Sequence, residues 1–107
     1  MNFGLKERYY DEIKILYYLF PNIDEIIIFG SRARGDYRYN SDIDIALKGN
    51  LSKIDMANIR NHFEEGKIPY TVDVVEYDKI IDEKFKKEID TDGKILTLEG
   101  YSKWKHI

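Results

Sequence analysis

The sequence predicts a small α/β (α+β) fold, in which helices pack against a small mixed β-sheet. Short apolar runs rich in β-branched residues alternate with longer segments whose apolar residues recur at helical spacing. These patterns follow the order α-β-β-α-β-α, which is typical of a sheet covered by helices. A chain of 107 residues has the length of one ordinary domain, so we expect residues 1–107 to form a single domain.

The composition excludes several classes of protein. The chain has no cysteine, which rules out disulfides, thiolate zinc sites and a thiol nucleophile. It has no apolar run of membrane-spanning length and no signal-peptide pattern at its start, so we expect a soluble cytoplasmic protein with no membrane partner. A formal net charge of -3 argues against direct nucleic-acid binding, which normally requires a basic excess.

The first part of the chain predicts one helix followed by one strand. Residues 5–20 have a helix pattern with apolar side chains at i, i+4, i+7 and i+11, namely Tyr9, Ile13, Leu16 and Phe20. Pro21 ends this helix. The run from Glu25 to Phe29 ends at Gly30, and a continuous apolar run of that length suits a strand covered on both faces.

A polar connection over residues 31–40 leads to a second strand, residues 42–47. The residues of this strand alternate strictly. One face carries the apolar side chains of Ile43, Ile45 and Leu47, and the other face carries Asp42, Asp44 and Ala46. The alternation therefore predicts which side chains of this strand enter the core.

The rest of the chain predicts a helix, a strand and a further helix. Ser52 with Asp55 three residues later is a capping-box pattern, and it begins a helix that runs toward Gly66. The apolar face of this helix carries Met56, Ile59 and Phe63. Residues 70–75 predict a third strand, and residues 77–89 predict a third helix with Ile81, Phe85 and Ile89 facing inward. After a turn at residues 92–93, residues 94–98 fit a short strand or an extended tail.

Three aspartates interrupt strands that are otherwise nearly all apolar: Asp42, Asp44 and Asp73. Aspartate is a poor strand former, and burying it unpaired is costly. Asp42 and Asp44 project from one strand face about 7 Å apart, so their carboxylates can converge on a hard cation. Asp73 completes this cluster if the third strand lies beside the second. The alternative is a solvated strand face with no ligand.

Gly30 and Ser31 form a second candidate site at the end of the first strand. A Gly-Ser corner can present backbone N–H groups to an anion, and the serine hydroxyl adds a donor. Arg32 and Arg34 are the nearby cationic candidates for phosphate oxygens. The alternative is a simple strand-to-turn corner with exposed arginines.

The spacing between the two candidate sites links them. Ten residues separate Ser31 from Asp42. A phosphate cradle at the end of one strand and a carboxylate pair on the next are the two halves of a site for a nucleotide with Mg²⁺.

The residues that carry both candidate sites resemble a known signature. The segments 27–35 (IIFGSRARG) and 41–46 (SDIDIA) resemble that of the DNA polymerase β-like nucleotidyltransferase superfamily. The chain is most similar to its minimal nucleotidyltransferase (MNT) branch, whose pattern is Gly-Ser, ten residues, Asp-x-Asp. Residues 71–75 are similar to the strand that carries the third carboxylate of the family. The resemblance implies the DNA polymerase β-like fold, with residues 1–107 as one minimal nucleotidyltransferase domain.

The resemblance also implies an activity, the transfer of a nucleoside monophosphate from a nucleoside triphosphate to an acceptor hydroxyl. By that resemblance the catalytic and metal-binding residues are Asp42, Asp44 and Asp73, which hold Mg²⁺. Asp73 is further expected to accept the proton of the acceptor. Gly30, Ser31 and Arg34 are expected to bind the nucleotide, which we expect to be ATP. Arg34 has an alternative role, tying down its loop through carboxylates.

Members of the MNT branch are paired with HEPN toxins, so the resemblance implies an antitoxin in a hetero-oligomer with a HEPN-type protein. We expect the chain to add AMP to a hydroxyl of that partner, in particular a tyrosine. Larger relatives carry an additional helical domain for the base and the acceptor, and its absence here also favours a partner. Two alternatives stay open: a non-catalytic antitoxin that acts by binding alone, and a small-molecule nucleotidyltransferase.

Overall fold

Four strands form one mixed sheet in the order β3-β2-β1-β4 in the computed structural model, which describes residues 3–97. The strands are β1 (Ile23–Phe29), β2 (Ile43–Gly49), β3 (Val72–Glu76) and β4 (Lys94–Leu96). The helices are α1 (Glu7–Lys14), α2 (Leu16–Leu19), α3 (Gly30–Arg34), α4 (Lys53–Glu65) and α5 (Glu83–Asp92), and a 3₁₀ turn spans Tyr77–Lys79. The expected mixed sheet with packed helices is confirmed. No helix within the described residues is long and apolar enough to cross a bilayer.

The strand β1 lies inside the sheet and is covered on both faces, as its unbroken apolar run predicts. It pairs antiparallel with β2 and with β4. Ile26 and Ile28 enter the larger core cluster, whereas Ile27 and Phe29 enter a second cluster with Ile89 of α5. The sheet therefore has apolar packing on each side, and α5 covers part of the second face.

The strand β2 confirms the predicted alternation. Ile43, Ile45 and Leu47 are buried in the larger cluster, and Ala46 is buried in the second cluster on the opposite face. Because β2 pairs parallel with β3, the chain between them must cross over the sheet, and α4 forms that crossover. The helix-containing connection therefore sets the third strand beside the second.

The helix α4 has the predicted start and the predicted apolar face. The hydroxyl of Ser52 accepts a hydrogen bond from the backbone N–H of Asp55, and the Asp55 carboxylate accepts one from the backbone N–H of Ser52. The two bonds satisfy amide groups that would otherwise be unpaired at the helix start. The buried residues of α4 are Met56, Ile59 and Phe63.

The predicted first helix consists of two consecutive segments, α1 and α2. Ile15 between them keeps helical dihedrals (φ -61°, ψ -19°), so the backbone stays helical through the junction. The predicted stripe is confirmed, because Tyr9, Ile13 and Leu16 are buried and Phe20 packs against the same core cluster. Tyr17 adds a polar contact, donating its hydroxyl to the carbonyl of Leu96 at 2.7 Å and accepting from the N–H of Ile26 at 2.9 Å.

The predicted third helix begins later than residue 77, and the expectation that Ile81 faces inward is wrong. The helix starts after Asp82, whose carboxylate accepts hydrogen bonds from the N–H groups of Lys84 and Phe85. This side-chain cap fixes the start of α5, and the residues before it form a 3₁₀ turn and an extended link. Ile81 lies in that link, and its side chain is 92% exposed. Ile89 is buried as predicted.

Two other local expectations have clear outcomes. The polar connection after Gly30 begins with the short helix α3 rather than with an irregular loop. The C-terminal alternative that the structure supports is the short strand, since β4 pairs antiparallel with β1. The last predicted residue of that segment, Leu98, lies outside the described residues.

Candidate functional site

The pairing of β2 with β3 brings two of the three predicted carboxylates side by side. Asp44 lies opposite Asp73 in the parallel register, and opposite Phe29 in the antiparallel pairing with β1. Residues directly opposite one another share a face of the sheet. Asp42 stands two residues before Asp44, at the entrance to β2. Asp44 and Asp73 thus belong to one sheet face, the face that α5 partly covers, and Asp42 lies near enough for its charge to act on Asp44.

The electrostatics of Asp44 reflect the nearness of the other two carboxylates. Asp44 is half-buried, whereas Asp42 and Asp73 are exposed. Burial raises the pKa of the Asp44 carboxyl, and the negative charges of Asp73 and Asp42 raise it further. The guanidinium of Arg34 acts in the opposite direction and lowers the same pKa. The site is therefore a concentration of negative charge that a bound cation would relieve.

The donor set of this site fits a hard divalent cation. Carboxylate oxygens are the ligands that Mg²⁺ prefers. Two carboxylates stand opposite each other on β2 and β3, and that of Asp42 lies just before β2. As the side chains stand, no three acidic or histidine residues within positions 3–97 are gathered closely enough to make a ready metal site. Mutual repulsion opposes such gathering, so a cation would have to draw the carboxylates together.

The backbone at Gly30 makes a close approach to Asp44. Gly30 follows the last residue of β1, begins α3 and has a positive φ of 72°. A Cβ atom at this position would overlap Oδ2 of Asp44, so only glycine fits without displacing the carboxylate. Ser31 is the next residue and is half-buried, and its carbonyl accepts from the N–H of Gly35. The predicted Gly-Ser corner thus adjoins the Asp44 carboxylate directly.

Arg32 has a different role from the one that the sequence pattern suggests. The sequence offers two expectations for Arg32, a contact with phosphate oxygens or an exposed position, and both are wrong because the residue is only 1% exposed. Its guanidinium donates to the carbonyl of Ser41 from Nη2 at 2.7 Å and from Nε at 3.1 Å, and to the carbonyl of Phe3 at 3.0 Å. The rings of Tyr37 and Tyr70 lie at 5.3 Å and 4.5 Å from its Cζ.

These contacts make Arg32 a structural link between the two halves of the site. Further bonds reach the carbonyls of Gly4 at 3.4 Å and Tyr39 at 3.3 Å. Ser41 immediately precedes Asp42, so Arg32 ties the Gly-Ser corner to the residue that leads into the carboxylates. Nothing in the sequence pattern distinguishes Arg32 from Arg34 in advance, because both follow Gly30 at short spacing.

Arg34 remains at the surface, on the opposite side of α3 from Arg32. Its guanidinium pairs with Asp36 at 3.3 Å and with Asp92 at 3.7 Å. The contact with Asp36 matches the loop-tying role that the sequence leaves open, and the contact with Asp92 joins α3 to the end of α5. Arg34 also influences the pKa of Asp44, so its charge acts on the carboxylate site.

Known structures share this arrangement of strands and helices. A toxin–antitoxin complex with AMP-PNP contains a chain that is 25% identical with a TM-score of 0.67, over 91% of this chain and 87% of that chain. A chain of the toxin–antitoxin MntA–HepT is 24% identical with a TM-score of 0.64, over 86% and 72%. A complex of tri-AMPylated Shewanella oneidensis HEPN toxin with MNT antitoxin contains a chain that is 23% identical with a TM-score of 0.61, over 88% and 73%.

The fold that the resemblance implies is confirmed by these structural neighbours. No curated protein sequence matches the chain significantly. A family model described as "Polymerase beta, Nucleotidyltransferase" matches residues 11–99, which include β1, β2, β3 and every predicted site residue. The chain therefore belongs to the polymerase β nucleotidyltransferase family.

Proposed function

We propose that this nucleotidyltransferase moves AMP from ATP to a hydroxyl, in particular a tyrosine, of a HEPN-type toxin and thereby acts as its antitoxin. The observation that carries the proposal is the register that sets Asp44 beside Asp73, next to the backbone corner at Gly30. Carboxylates beside a glycine corner suit the binding of a triphosphate with its divalent cation. Since ATP is the donor, the proposed location is the cytoplasm.

In the proposed reaction, the oxygen of the acceptor hydroxyl attacks the α-phosphorus of ATP. A new oxygen–phosphorus bond forms, the bond from the α-phosphorus to the oxygen that bridges to the β-phosphorus breaks, and pyrophosphate leaves. Asp73 accepts the proton of the acceptor, and Asp42 and Asp44 with Asp73 would hold Mg²⁺. Bound Mg²⁺ supplies neutralisation of the phosphate charge. Gly30, Ser31 and Arg34 are proposed to bind the triphosphate.

The neighbouring structures support AMP as the transferred group and a HEPN toxin as the acceptor. One neighbour is a toxin–antitoxin with AMP-PNP, and another contains a tri-AMPylated HEPN toxin with its MNT antitoxin. The proposed assembly of this chain is accordingly a hetero-oligomer with a HEPN-type protein. A purely binding antitoxin is the competing proposal, because it needs the same interface but no carboxylate site.

The experiment that tests the proposal follows label from ATP to protein. The chain is incubated with ATP labelled in its α-phosphate, with Mg²⁺ and with the HEPN-type protein encoded beside it. We expect mass increments of whole AMP units on the partner and their disappearance when Asp42 is replaced by asparagine. If the partner gains no mass while Asp42→Asn still neutralises it, the chain acts by binding and the transfer proposal is wrong.

Replacing Gly30 with alanine is expected to damage the site specifically. The positive φ of Gly30 costs an alanine about 1–2 kcal/mol, and the new Cβ displaces the Asp44 carboxylate. We expect AMP transfer to fall about 100-fold, since small misplacements of reacting groups have effects of that size. Gly35→Ala is the matched control, because Gly35 also has a positive φ (94°) but no atom within 4 Å of an added Cβ. Equal losses of transfer in the two variants would contradict the contact with Asp44 as the cause.

A further inference from the structure

A groove of about 750 Å³ follows the outer edge of β3. Residues Thr71–Val75 line one side of this β3 groove, and Arg60, Phe63 and Glu64 of α4 line the other. Asp73 belongs both to this lining and to the three carboxylates. Asp73 therefore joins the lining of the groove to the place where the proposed transfer occurs.

The strand β3 is the last strand of the sheet on this side within the described residues, so half of its backbone groups face the groove. The N–H of Ile43 donates to the carbonyl of Thr71, which points the backbone groups of Thr71 toward β2. Along each strand of a parallel pair, the backbone groups of successive residues point alternately toward and away from the partner strand. The backbone groups of Asp73 therefore also bond to β2, while those of Val72 and Val74 point outward. The same alternation makes Glu76 point outward.

The position of Arg60 agrees with this assignment. Its Nη2 donates to the carbonyl of Val74 at 3.2 Å, from the side of the groove. The Arg60 side chain can reach the Val74 carbonyl oxygen because this oxygen points away from β2. Arg60 is an exposed residue, so an incoming N–H group can replace its guanidinium at this carbonyl.

A row of outward N–H and C=O groups on an edge strand is the template that an extended polypeptide recognises. We propose that the β3 groove receives an extended segment of the acceptor protein as a fifth strand, with the acceptor hydroxyl on the sheet face that carries Asp73. This inference rests on the proposed transfer to a protein hydroxyl. It adds the mode of recognition and the surface that provides it.

The geometry of an added strand delivers a side chain to the site. A neighbouring strand lies about 4.8 Å from β3, and its residue opposite Asp73 has its side chain on the face of Asp73. A hydroxyl residue at that position therefore lies beside Asp73, the carboxylate proposed to accept the proton of the acceptor.

Residue-resolved amide hydrogen exchange tests the inference, because an added strand should protect only the backbone amides of β3 that point outward. The Asp44→Asn variant, which should bind the partner without modifying it, is measured alone and with the neighbouring HEPN-type protein. We expect the amides of Val72, Val74 and Glu76 to exchange about tenfold or more slowly in the complex. The amides of Asp73 and Val75, which already bond to β2, should change little.

Three outcomes would overturn the added strand. The first is a complex that forms without slowing the three outward amides, and the second is equal slowing of outward and inward amides. The third is slow exchange of the outward amides in the isolated chain, which would mean that the edge is already covered before the partner binds. AMP transfer by the wild-type chain in any of these cases would preserve the proposed function while removing this inference.

A pair of variants at Val72 gives an independent measurement. Val72→Pro removes one outward N–H and leaves the bonds between β2 and β3 intact, whereas Val72→Ala shortens the same side chain and keeps the N–H. We expect the proline variant to raise the Kd for the partner about five- to tenfold relative to the alanine variant, the value of one hydrogen bond. Equal Kd values for the two variants would contradict strand addition.

Discussion

Replacing Asp44 with asparagine should reduce AMP transfer about 10²–10³-fold while making the protein more stable. Asp44 is the central carboxylate of the site, since Asp73 lies opposite it and Gly30 approaches its Oδ2. An amide has the same shape but lacks the charge that holds a divalent cation, so charge stabilisation of the transferring phosphate is lost. The measurement is single-turnover transfer of labelled AMP to the partner at saturating Mg²⁺.

The gain in stability follows from the sign of the pKa shift. Burial and then the charges of Asp73 and Asp42 raise the pKa of Asp44 above its ordinary value of 3.8, so its ionised form opposes folding at neutral pH. Asparagine removes that cost. Because the carboxylate is only half-buried, we expect a small increase in the free energy of unfolding, about 0.5 kcal/mol, which corresponds to roughly 2–4 °C in Tm.

The pH dependence gives this prediction a second readout. As the pH falls through the raised pKa of folded Asp44 toward 3.8, the wild-type carboxyl takes up a proton and its cost disappears. The Tm advantage of the asparagine variant, measured without divalent cations, should therefore shrink over that range. Asp78→Asn, in the 3₁₀ turn after β3, is the charge-matched control. If Asp78→Asn lowers transfer as much as Asp44→Asn, general charge rather than the site accounts for the loss.

Periodicity in the sequence predicts the elements that position this site. The alternation along residues 42–47 identifies the face of β2 that enters the larger core cluster, but the sequence leaves it conditional whether the third strand lies beside the second. Both faces of the sheet carry apolar packing, so it is the parallel register of β2 and β3 in the structure that sets Asp44 and Asp73 on one face. The catalytic roles of these residues stay a prediction, because they depend on the cation and nucleotide as well as on the fold.

The features that sequence periodicity does not predict are those decided by a few specific contacts. Ile81 continues an apolar helical pattern, but the Asp82 side chain caps α5 so that the helix begins at Glu83 and leaves Ile81 outside. Arg32 and Arg34 belong to the same short motif, yet one is buried under carbonyl groups and the other lies at the surface. The difference depends on loop residues 37–41 and on the segment before α1, which no local pattern brings together.

Replacing Arg32 with methionine should lower the free energy of unfolding by about 3–5 kcal/mol. Methionine fills much of the same volume but donates no hydrogen bond, so the carbonyls of Ser41 and Phe3 lose their partners in a buried place. That loss is a large share of the roughly 5–15 kcal/mol that stabilises an ordinary domain. Urea unfolding followed by circular dichroism measures it. Arg34→Met, two residues along the same helix, is the matched control and should leave the unfolding midpoint nearly unchanged.

The Arg32→Lys variant distinguishes the effect of the positive charge of Arg32 from that of its hydrogen-bonding geometry. The single ammonium group of lysine keeps the positive charge but cannot reproduce the fork that meets Ser41 from both Nε and Nη2. We therefore expect Arg32→Lys to lose most of the stability that the methionine variant loses. Because Ser41 precedes Asp42, both variants should also slow AMP transfer at temperatures where they remain folded. Full transfer in a folded Arg32→Lys variant would show that Arg32 holds the loop but does not position the first carboxylate.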